Sequence, residues 1–207
     1  MSSFAKPSTR LRFPCLLLLA TFAFTAVRCT SPAQTGDDGE PYRTIRVEPR
    51  RDTELARKLN QEGLVHLQRA ELQDAHESFT QALAADVEFG PAHNNLGKVY
   101  FRQSDWYKAA WEFEYARKLM PKHAQPCNNL GLVLEQAGEL DRAVDQYRQA
   151  VTLDNSVEFQ GNLARALIRR GERTKEVRLL LSDIIERDTR PDWVLWARQQ
   201  QASFPKE

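Results

Sequence analysis

The chain has 207 residues, 42% of them hydrophobic, so it is long enough and apolar enough to bury a sizeable core. Four basic residues and no acidic ones fall within residues 1–28, which leaves 25 basic and 28 acidic residues in the rest of the chain. A mildly acidic body argues against general nucleic-acid binding, because that activity needs many lysines and arginines to neutralise phosphates.

The first predicted element, residues 1–28, is a signal peptide or a short anchor. A basic head precedes the apolar run 13–27, which reads FPCLLLLATFAFTAV, and this order is typical of a secretory signal. A membrane-spanning helix usually needs about 20 apolar residues, so the run favours export over anchoring. We therefore expect a periplasmic or cell-envelope protein, with membrane attachment through this segment as the alternative.

Cys29 directly follows this segment and is a candidate for lipidation. Lipidation signals prefer a small residue just before the cysteine, whereas this chain has Arg28. Cleavage after Thr25 or Cys29 is the competing outcome, because small residues lie at the key positions. Residues 29–51 are rich in Pro, Gly, Asp and Arg and have no helical period, which predicts a flexible linker.

A helical array is predicted from residue 52 onward. The tetrapeptide Asn94-Asn95-Leu96-Gly97 recurs 34 residues later at 128–131, and Gly63 precedes Gly97 by the same interval. A tetrapeptide that returns at a fixed period is typical of a repeat array. Asp52 and Thr53 supply a helix cap, and the inner face of the first helix is predicted to contain Leu55, Leu59, Gly63, His66 and Leu67.

Each unit is predicted to have a second helix with a small, an aromatic and a small residue on its inner face. In the first unit this helix runs from Leu72 to Ala85. We expect the glycine of the first helix to let the two helices cross closely, and the aromatic residue to fill the space between units. The inner residues of the three second helices are Ala75, Phe79 and Ala82, then Ala109, Phe113 and Ala116, then Ala143, Tyr147 and Ala150.

These positions resemble the tetratricopeptide repeat. Units that start at Ala56, Gly90 and Ala124 all keep the glycine, alanine, aromatic and alanine positions of that family's pattern. The departures are Glu62 for leucine, His66 and Leu134 for the first aromatic residue, and Val87 and Asn155 for the closing proline that the second unit keeps as Pro121. The resemblance implies an all-α, right-handed α-solenoid of helix-turn-helix repeats.

A fourth unit is degenerate. Asn162-Leu163-Ala164 resembles Asn-Leu-Gly, one residue short of the register and with alanine in place of glycine. Gly171 falls at the turn, and Val177, Leu181 and Ile184 take the second-helix positions. The terminal unit of an array is often atypical, because it has lost one neighbour.

A last helix is predicted over residues 192–203, after Pro191. Trp193, Trp196 and Ala197 share one of its faces, which we expect to cover the open end of the stack. Anchoring to a membrane or a partner is the alternative. The predicted domains are therefore the array at 52–188, with units near 56–89, 90–123, 124–156 and 157–188, and the capping helix and tail at 189–207.

The sequence predicts no enzyme, no metal site and no cofactor. It contains no nucleophile–base constellation and no Gly-rich phosphate loop. Its four histidines have no metal-ligand spacing, and only Cys127 lies in the body, which excludes a disulfide framework there.

With no catalytic or metal site predicted, the candidate functional site is a binding surface. The resemblance implies that the first helices of the units line a concave groove. One groove position of the four units reads Gln61, Asn95, Asn129 and Asn162. Carboxamides in a row can both donate to and accept from a peptide backbone, although local hydrogen bonding is the alternative role. The other groove candidates are Lys98, Phe101, Arg102, Leu132, Glu135, Arg165 and Arg169.

The character of the groove suggests a class of ligand. Arg165 and Arg169 suit an acidic peptide segment, unless they are only solvated surface charges. The resemblance also implies a chaperone clamp in some relatives, but of the five positions it uses, only Asn95 fits. We expect a non-catalytic scaffold or adaptor that binds a protein or peptide in the groove, outside the cytosol. The alternative is a structural subunit of an envelope complex that assembles through the convex face or the tryptophan helix.

Overall fold

The computed structural model describes residues 51–204. The predicted signal or anchor, Cys29 and almost all of the predicted linker lie outside the described residues. Within this range all regular secondary structure is helical, which confirms the all-α prediction. Its nine helices are α1 (Thr53–Gln68), α2 (Leu72–Ala85), α3 (Gly90–Arg102), α4 (Trp106–Leu119), α5 (Ala124–Gln136), α6 (Leu140–Leu153), α7 (Val157–Arg169), α8 (Lys175–Arg187) and α9 (Pro191–Ala202).

The helices follow one another as four helix-turn-helix units. Three-residue turns join α1 to α2, α3 to α4 and α5 to α6, and each pair packs together. The first helices α1, α3, α5 and α7 also contact one another in succession. They therefore share one continuous surface, which we call the groove face.

The glycine of each first helix lies against the aromatic ring of its own second helix. A Cβ atom on Gly97 would lie 2.6 Å from the ring of Phe113. Gly63 has the same relation to Phe79, and Gly131 to Tyr147. The predicted close crossing is confirmed, but the group that excludes a side chain is an aromatic ring rather than the facing backbone.

The fourth unit changes both partners of this contact together. Leu181 takes the place of the aromatic residue and Ala164 the place of the glycine, and both are completely buried in the same core cluster. A leucine leaves room for the alanine methyl that a ring would exclude. The predicted second-helix residues Val177 and Ile184 are also completely buried.

Helix α9 covers the end of this stack. Its Ala197 is completely buried, and the rings of Trp193 and Trp196 pack against the main core cluster. The ring of Trp193 lies on Gly161 of α7, where a Cβ atom would come within 2.8 Å. Pro191 is the first residue of α9, as the fixed φ of proline allows, so it begins this helix as well as ending the preceding segment.

Two predictions for α1 are wrong. Leu55 is 44% exposed, and the buried residues of the helix are Ala56, Asn60, Gly63 and Leu67. His66 is only half-buried and pairs with Glu71 across the turn to α2. The position of Leu55 is equivalent to that of His123, which is also exposed, and the position of His66 to that of Tyr100, which is also half-buried, so both lie at the margin of the packed helix face.

Among the described residues, no helix has the length and apolar character needed to cross a membrane.

Candidate functional site

Asparagine pairs join successive units along the groove face. The amide nitrogen of Asn95 donates to the side-chain oxygen of Asn60 at 2.9 Å, so that a hydrogen bond links the second unit to the first. Asn129 donates to Asn94 at 2.9 Å in the same way. The fourth unit continues the series through Asn162. Local hydrogen bonding, the alternative role of these amides, is therefore their observed one.

These bonds change which carboxamides a ligand can reach. Asn95 is buried, and its oxygen already accepts from the ammonium of Lys98 at 3.2 Å. Asn162 is buried as well. Asn129 is only partly buried, and its oxygen accepts no hydrogen bond from residues 51–204. Gln61 is exposed on α1, so the four positions do not form one open ladder.

A cleft of about 160 Å³ lies between α3 and α5 on the groove face. Five predicted site residues meet there, although they are separated in the sequence by up to 34 positions. Phe113 of α4 also lines it, a residue that the sequence assigned only to the core. The five are Lys98, Phe101, Arg102, Asn129 and Leu132.

Lys98 and Arg102 give this cleft its charge. They lie one helical turn apart on α3, and neither forms an ion pair with a carboxylate among the described residues. Arg102 instead donates to the backbone oxygen of Leu67 at 2.7 Å. Partial burial lowers the pKa of Lys98, and repulsion from Arg102 lowers it further, while the charge of Glu158 acts in the opposite direction.

The next charged cluster on this face is neutralised from within. Glu135 is only 2% exposed, and Arg165 binds its carboxylate through two nitrogens, at 3.0 and 3.1 Å. Arg169 donates to the same carboxylate at 2.8 Å, as does the hydroxyl of Tyr147 at 2.8 Å. Arg165 and Arg169 are therefore not free cations on the groove surface, which corrects the expectation that they await an acidic ligand.

Burial and hydrogen bonding oppose each other at Glu135. Burial alone would raise the pKa of this carboxyl group, but the hydrogen bonds from Arg165, Arg169 and Tyr147 outweigh it and hold the pKa below its ordinary value. The same burial raises the pKa of Tyr147, with the neighbouring carboxylate as the next cause. The cluster is thus ionised as Glu⁻ with two arginines at neutral pH.

A second cleft, of about 210 Å³, lies where α9 meets α7. Arg165, Asp192, Trp193 and Trp196 line it, and the two indole rings meet edge to face at 5.4 Å. Arg165 and Arg190 both lie over the ring of Trp193. The sequence predicted the tryptophans as a cap, with an anchor as the alternative, but not as part of a cleft, because the spacing within α9 does not reveal that α7 supplies the opposite wall.

His66, Glu71 and Asp74 bring three potential ligand atoms within 4.8 Å of one another at the turn between α1 and α2. A nitrogen of His66 already lies 2.7 Å from the carboxylate of Glu71, and Asp74 is exposed to solvent. These groups are satisfied by each other and by water, so we assign them no ion.

Sequence profiles support the repeat assignment. Two profiles described as tetratricopeptide repeats match residues 60–124 and 124–156. Residues 60–156 belong to the tetratricopeptide repeat family. A tetratricopeptide repeat domain-containing chloroplast protein of Arabidopsis thaliana, PYG7, is 30% identical over 103 residues, which make up 48% of this chain and 34% of that protein. This chain thus spans about a third of the length of that relative.

Solved structures match the tetratricopeptide array at lower identity. A thermophilic tetratricopeptide protein of Thermus thermophilus is 21% identical, with a TM-score of 0.59 over 72% of this chain and 80% of that one. The first such domain of Spaghetti (RPAP3), bound to the HSP90 peptide SRMEEVD, is 18% identical, with a TM-score of 0.57 over 60% and 100%. YrrB, a tetratricopeptide protein with an unusual peptide-binding site, is 21% identical, with a TM-score of 0.58 over 72% and 76%. At these identities the similarity establishes the fold alone.

The tetratricopeptide array also exposes two aromatic residues that the sequence analysis did not single out. Tyr107 is 80% exposed and Trp111 is 64% exposed, and they lie one turn apart on α4. Their spacing places them together on a face of α4 away from the buried Ala109, Phe113 and Ala116. That spacing is visible in the sequence, but aromatic residues are usually assigned to the core first.

Proposed function

We propose that this chain is a non-catalytic scaffold that binds an extended peptide or protein segment on its groove face. The observation that carries this proposal is the cleft between α3 and α5. Apolar side chains, a partly free carboxamide and two cations that have no carboxylate partner among residues 51–204 converge there. Such a combination offers apolar contact and directional hydrogen bonds to a peptide.

Two of the structural neighbours support this proposal by their own ligands. The Spaghetti domain is bound to a peptide of HSP90, and YrrB has a peptide-binding site. At 18% and 21% identity they share the fold of this chain, so they support the class of ligand and not its sequence.

A peptide selection with a matched pair of variants tests the proposal. Short random peptides displayed on phage are selected on the full chain, and the enriched peptides are measured against Phe101→Ala and Trp111→Ala. Both changes remove one aromatic side chain, but Phe101 lines the cleft and Trp111 is exposed on α4. Circular dichroism confirms that each variant keeps its helices.

We expect Phe101→Ala to weaken binding about tenfold and Trp111→Ala to leave it unchanged, since an aromatic anchor in a cleft contributes more than about 1 kcal/mol. A failure to enrich any peptide would overturn the proposal. Equal binding by the wild-type chain and Phe101→Ala would also contradict it.

The exposed aromatic pair on α4 favours a second candidate function. A structural subunit that assembles through this outer face would bury Tyr107 and Trp111 against its partner. In that case Tyr107→Ser with Trp111→Ser would change the mass of the assembly in analytical ultracentrifugation, whereas Phe101→Ala would not. An unchanged mass for the serine variant would eliminate this candidate.

We also propose that the scaffold works outside the cytosol. This rests on the basic head and apolar run of residues 1–28, which lie outside the described part of the chain. Mass spectrometry of the mature N-terminus after cell fractionation tests it. A lipid mass on Cys29 would indicate a membrane-attached lipoprotein, a free N-terminus between Ala26 and Thr30 a cleaved signal, and an intact Met1 in the cytosolic fraction would refute export.

A further inference from the structure

The charged residues of the groove face differ in whether the protein itself neutralises them. Arg165 and Arg169 share the buried carboxylate of Glu135, so the protein supplies their counter-charge. Lys98 and Arg102 have no such partner among the described residues. The uncompensated positive charge of the groove therefore lies closer to the N-terminus than the sequence predicted.

The surroundings of Lys98 make its charge costly in the free protein. The side chain is partly buried, and its ammonium group donates to a neutral amide oxygen, that of Asn95, rather than to a carboxylate. Its pKa is lowered, first by burial and then by Arg102. Glu158 on α7 attracts it, but forms no ion pair with it. An anion that entered the cleft would relieve this repulsion and replace the lost water contacts.

The walls of the same cleft are apolar. Phe101, Phe113 and Leu132 lie beside the two cations, and Asn129 completes the lining. The amide nitrogen of Asn129 donates to Asn94, which fixes the orientation of the amide group. Its side-chain oxygen is left free to accept from a backbone N–H of a ligand. The cleft thus combines a positive site, an apolar wall and a backbone acceptor within about 160 Å³.

We propose that the segment bound on the groove face carries an aspartate or glutamate next to an apolar residue, and that Lys98 and Arg102 bind its carboxylate. This inference rests on the proposed function, since it specifies the ligand of the same site. Phe101 and Leu132 contact the apolar neighbour, and the oxygen of Asn129 accepts from the backbone between them. These positions are not those of the chaperone clamp, of which this chain keeps only Asn95.

Charge-matched variants test the proposal. Peptides enriched from the random library on the full chain are synthesised, together with copies in which each acidic residue is changed to its amide. Both forms are titrated against the wild-type chain, Lys98→Gln with Arg102→Gln, and Lys118→Gln with Lys122→Gln. Lys118 and Lys122 lie outside the cleft, so the two double variants have the same net charge but differ in where it is lost.

We expect the enriched peptides to contain an acid beside an apolar residue. Lys98→Gln with Arg102→Gln should weaken their binding about tenfold or more, since charge-assisted hydrogen bonds are lost. The acid-to-amide change in the peptide should weaken binding to the wild-type chain by a similar factor. It should have little effect on binding to the variant Lys98→Gln with Arg102→Gln, which is already weak. Lys118→Gln with Lys122→Gln should bind as the wild-type chain does.

The outcomes separate this inference from the proposed function. Enriched peptides without acids, bound equally well by the Lys98 and Arg102 variant, would overturn the inference and leave the scaffold function intact. Equal losses in both double variants would show unspecific charge attraction and also overturn it. No enriched peptide at all would overturn both.

Discussion

The amide nitrogen of Asn162 donates to the side-chain oxygen of Asn128 at 2.8 Å, across the boundary between the third and fourth units. The two residues are 6% and 4% exposed, so water cannot replace this bond. Each Asn-Asn dipeptide thus serves two boundaries, because its first residue accepts from the following unit and its second donates to the preceding one. The asparagine persists in the fourth unit, where the glycine has been lost, because it still holds two units together.

We expect Asn128→Ala to lower the free energy of unfolding by about 1–3 kcal/mol, since the buried amide of Asn162 loses its acceptor. Urea denaturation measures this loss. In a double-mutant cycle, Asn162→Ala should lower the free energy of unfolding by less in the Asn128→Ala background than in the wild-type chain. Strictly additive costs would mean that the hydrogen bond contributes nothing to the coupling of the units.

The contact of Gly97 with Phe113 predicts a specific rescue. Gly97→Ala places a methyl group against the ring, and we expect a net loss of about 1–2 kcal/mol after the higher helix propensity of alanine is included. Phe113→Leu in the same chain should recover part of this loss, because Ala164 and Leu181 show that the fourth unit uses this combination. If the double variant loses the full sum of the two single effects, this explanation of the fourth unit is wrong.

The buried carboxylate of Glu135 predicts a pH-dependent stability. Its pKa is lower in the folded protein than its usual value of about 4.3, so its contribution is fully present above that value and is lost as the pH falls through the folded pKa. At neutral pH we expect Glu135→Gln to cost about 2–3 kcal/mol, because three donors lose a charged acceptor. The difference in free energy of unfolding between Glu135→Gln and the wild-type chain should become smaller below about pH 4.

Glu139→Gln is the matched control for this experiment. Glu139 follows at the start of the next helix and is exposed in an ion pair with Arg142. A surface pair of this kind contributes little, so the variant should unfold within about 0.5 kcal/mol of the wild-type chain at every pH. Equal costs for Glu135→Gln and Glu139→Gln in urea denaturation would contradict the role of the buried cluster.

The packing of Trp193 on Gly161 predicts that α9 stabilises the last unit. Trp193→Ala should lower the free energy of unfolding by about 2–4 kcal/mol, somewhat less than for a completely buried tryptophan. Leu195→Ala on the same helix removes a side chain that is 57% exposed and should change stability by less than about 0.5 kcal/mol. Urea denaturation measures the free energy of unfolding of both variants. If Trp193→Ala lowers it by no more than Leu195→Ala does, α9 does not act as a cap.

Much of the fold was predictable from the sequence, because the residues that pack together within one unit lie close together in the chain. The second helix of the first unit was predicted with the bounds that the structure gives, Leu72–Ala85. Glycine, alanine and aromatic residues recur at fixed spacing, since every unit buries one helix against another in the same way. The errors at Leu55 and His66 occur at the margin of the packed helix face, where helical spacing alone does not decide burial.

The candidate site was less predictable, because it depends on pairs of residues in different units. The sequence alone determined the repeat and most of the inner faces, and it named five of the six residues that line the cleft between α3 and α5. Only the tertiary structure decided that Glu135 neutralises Arg165 and Arg169, whereas Lys98 and Arg102 stay uncompensated among the described residues. Helical periodicity specifies which face a side chain occupies, but charge neutralisation depends on distances of about 3 Å between helices, which only their packing sets.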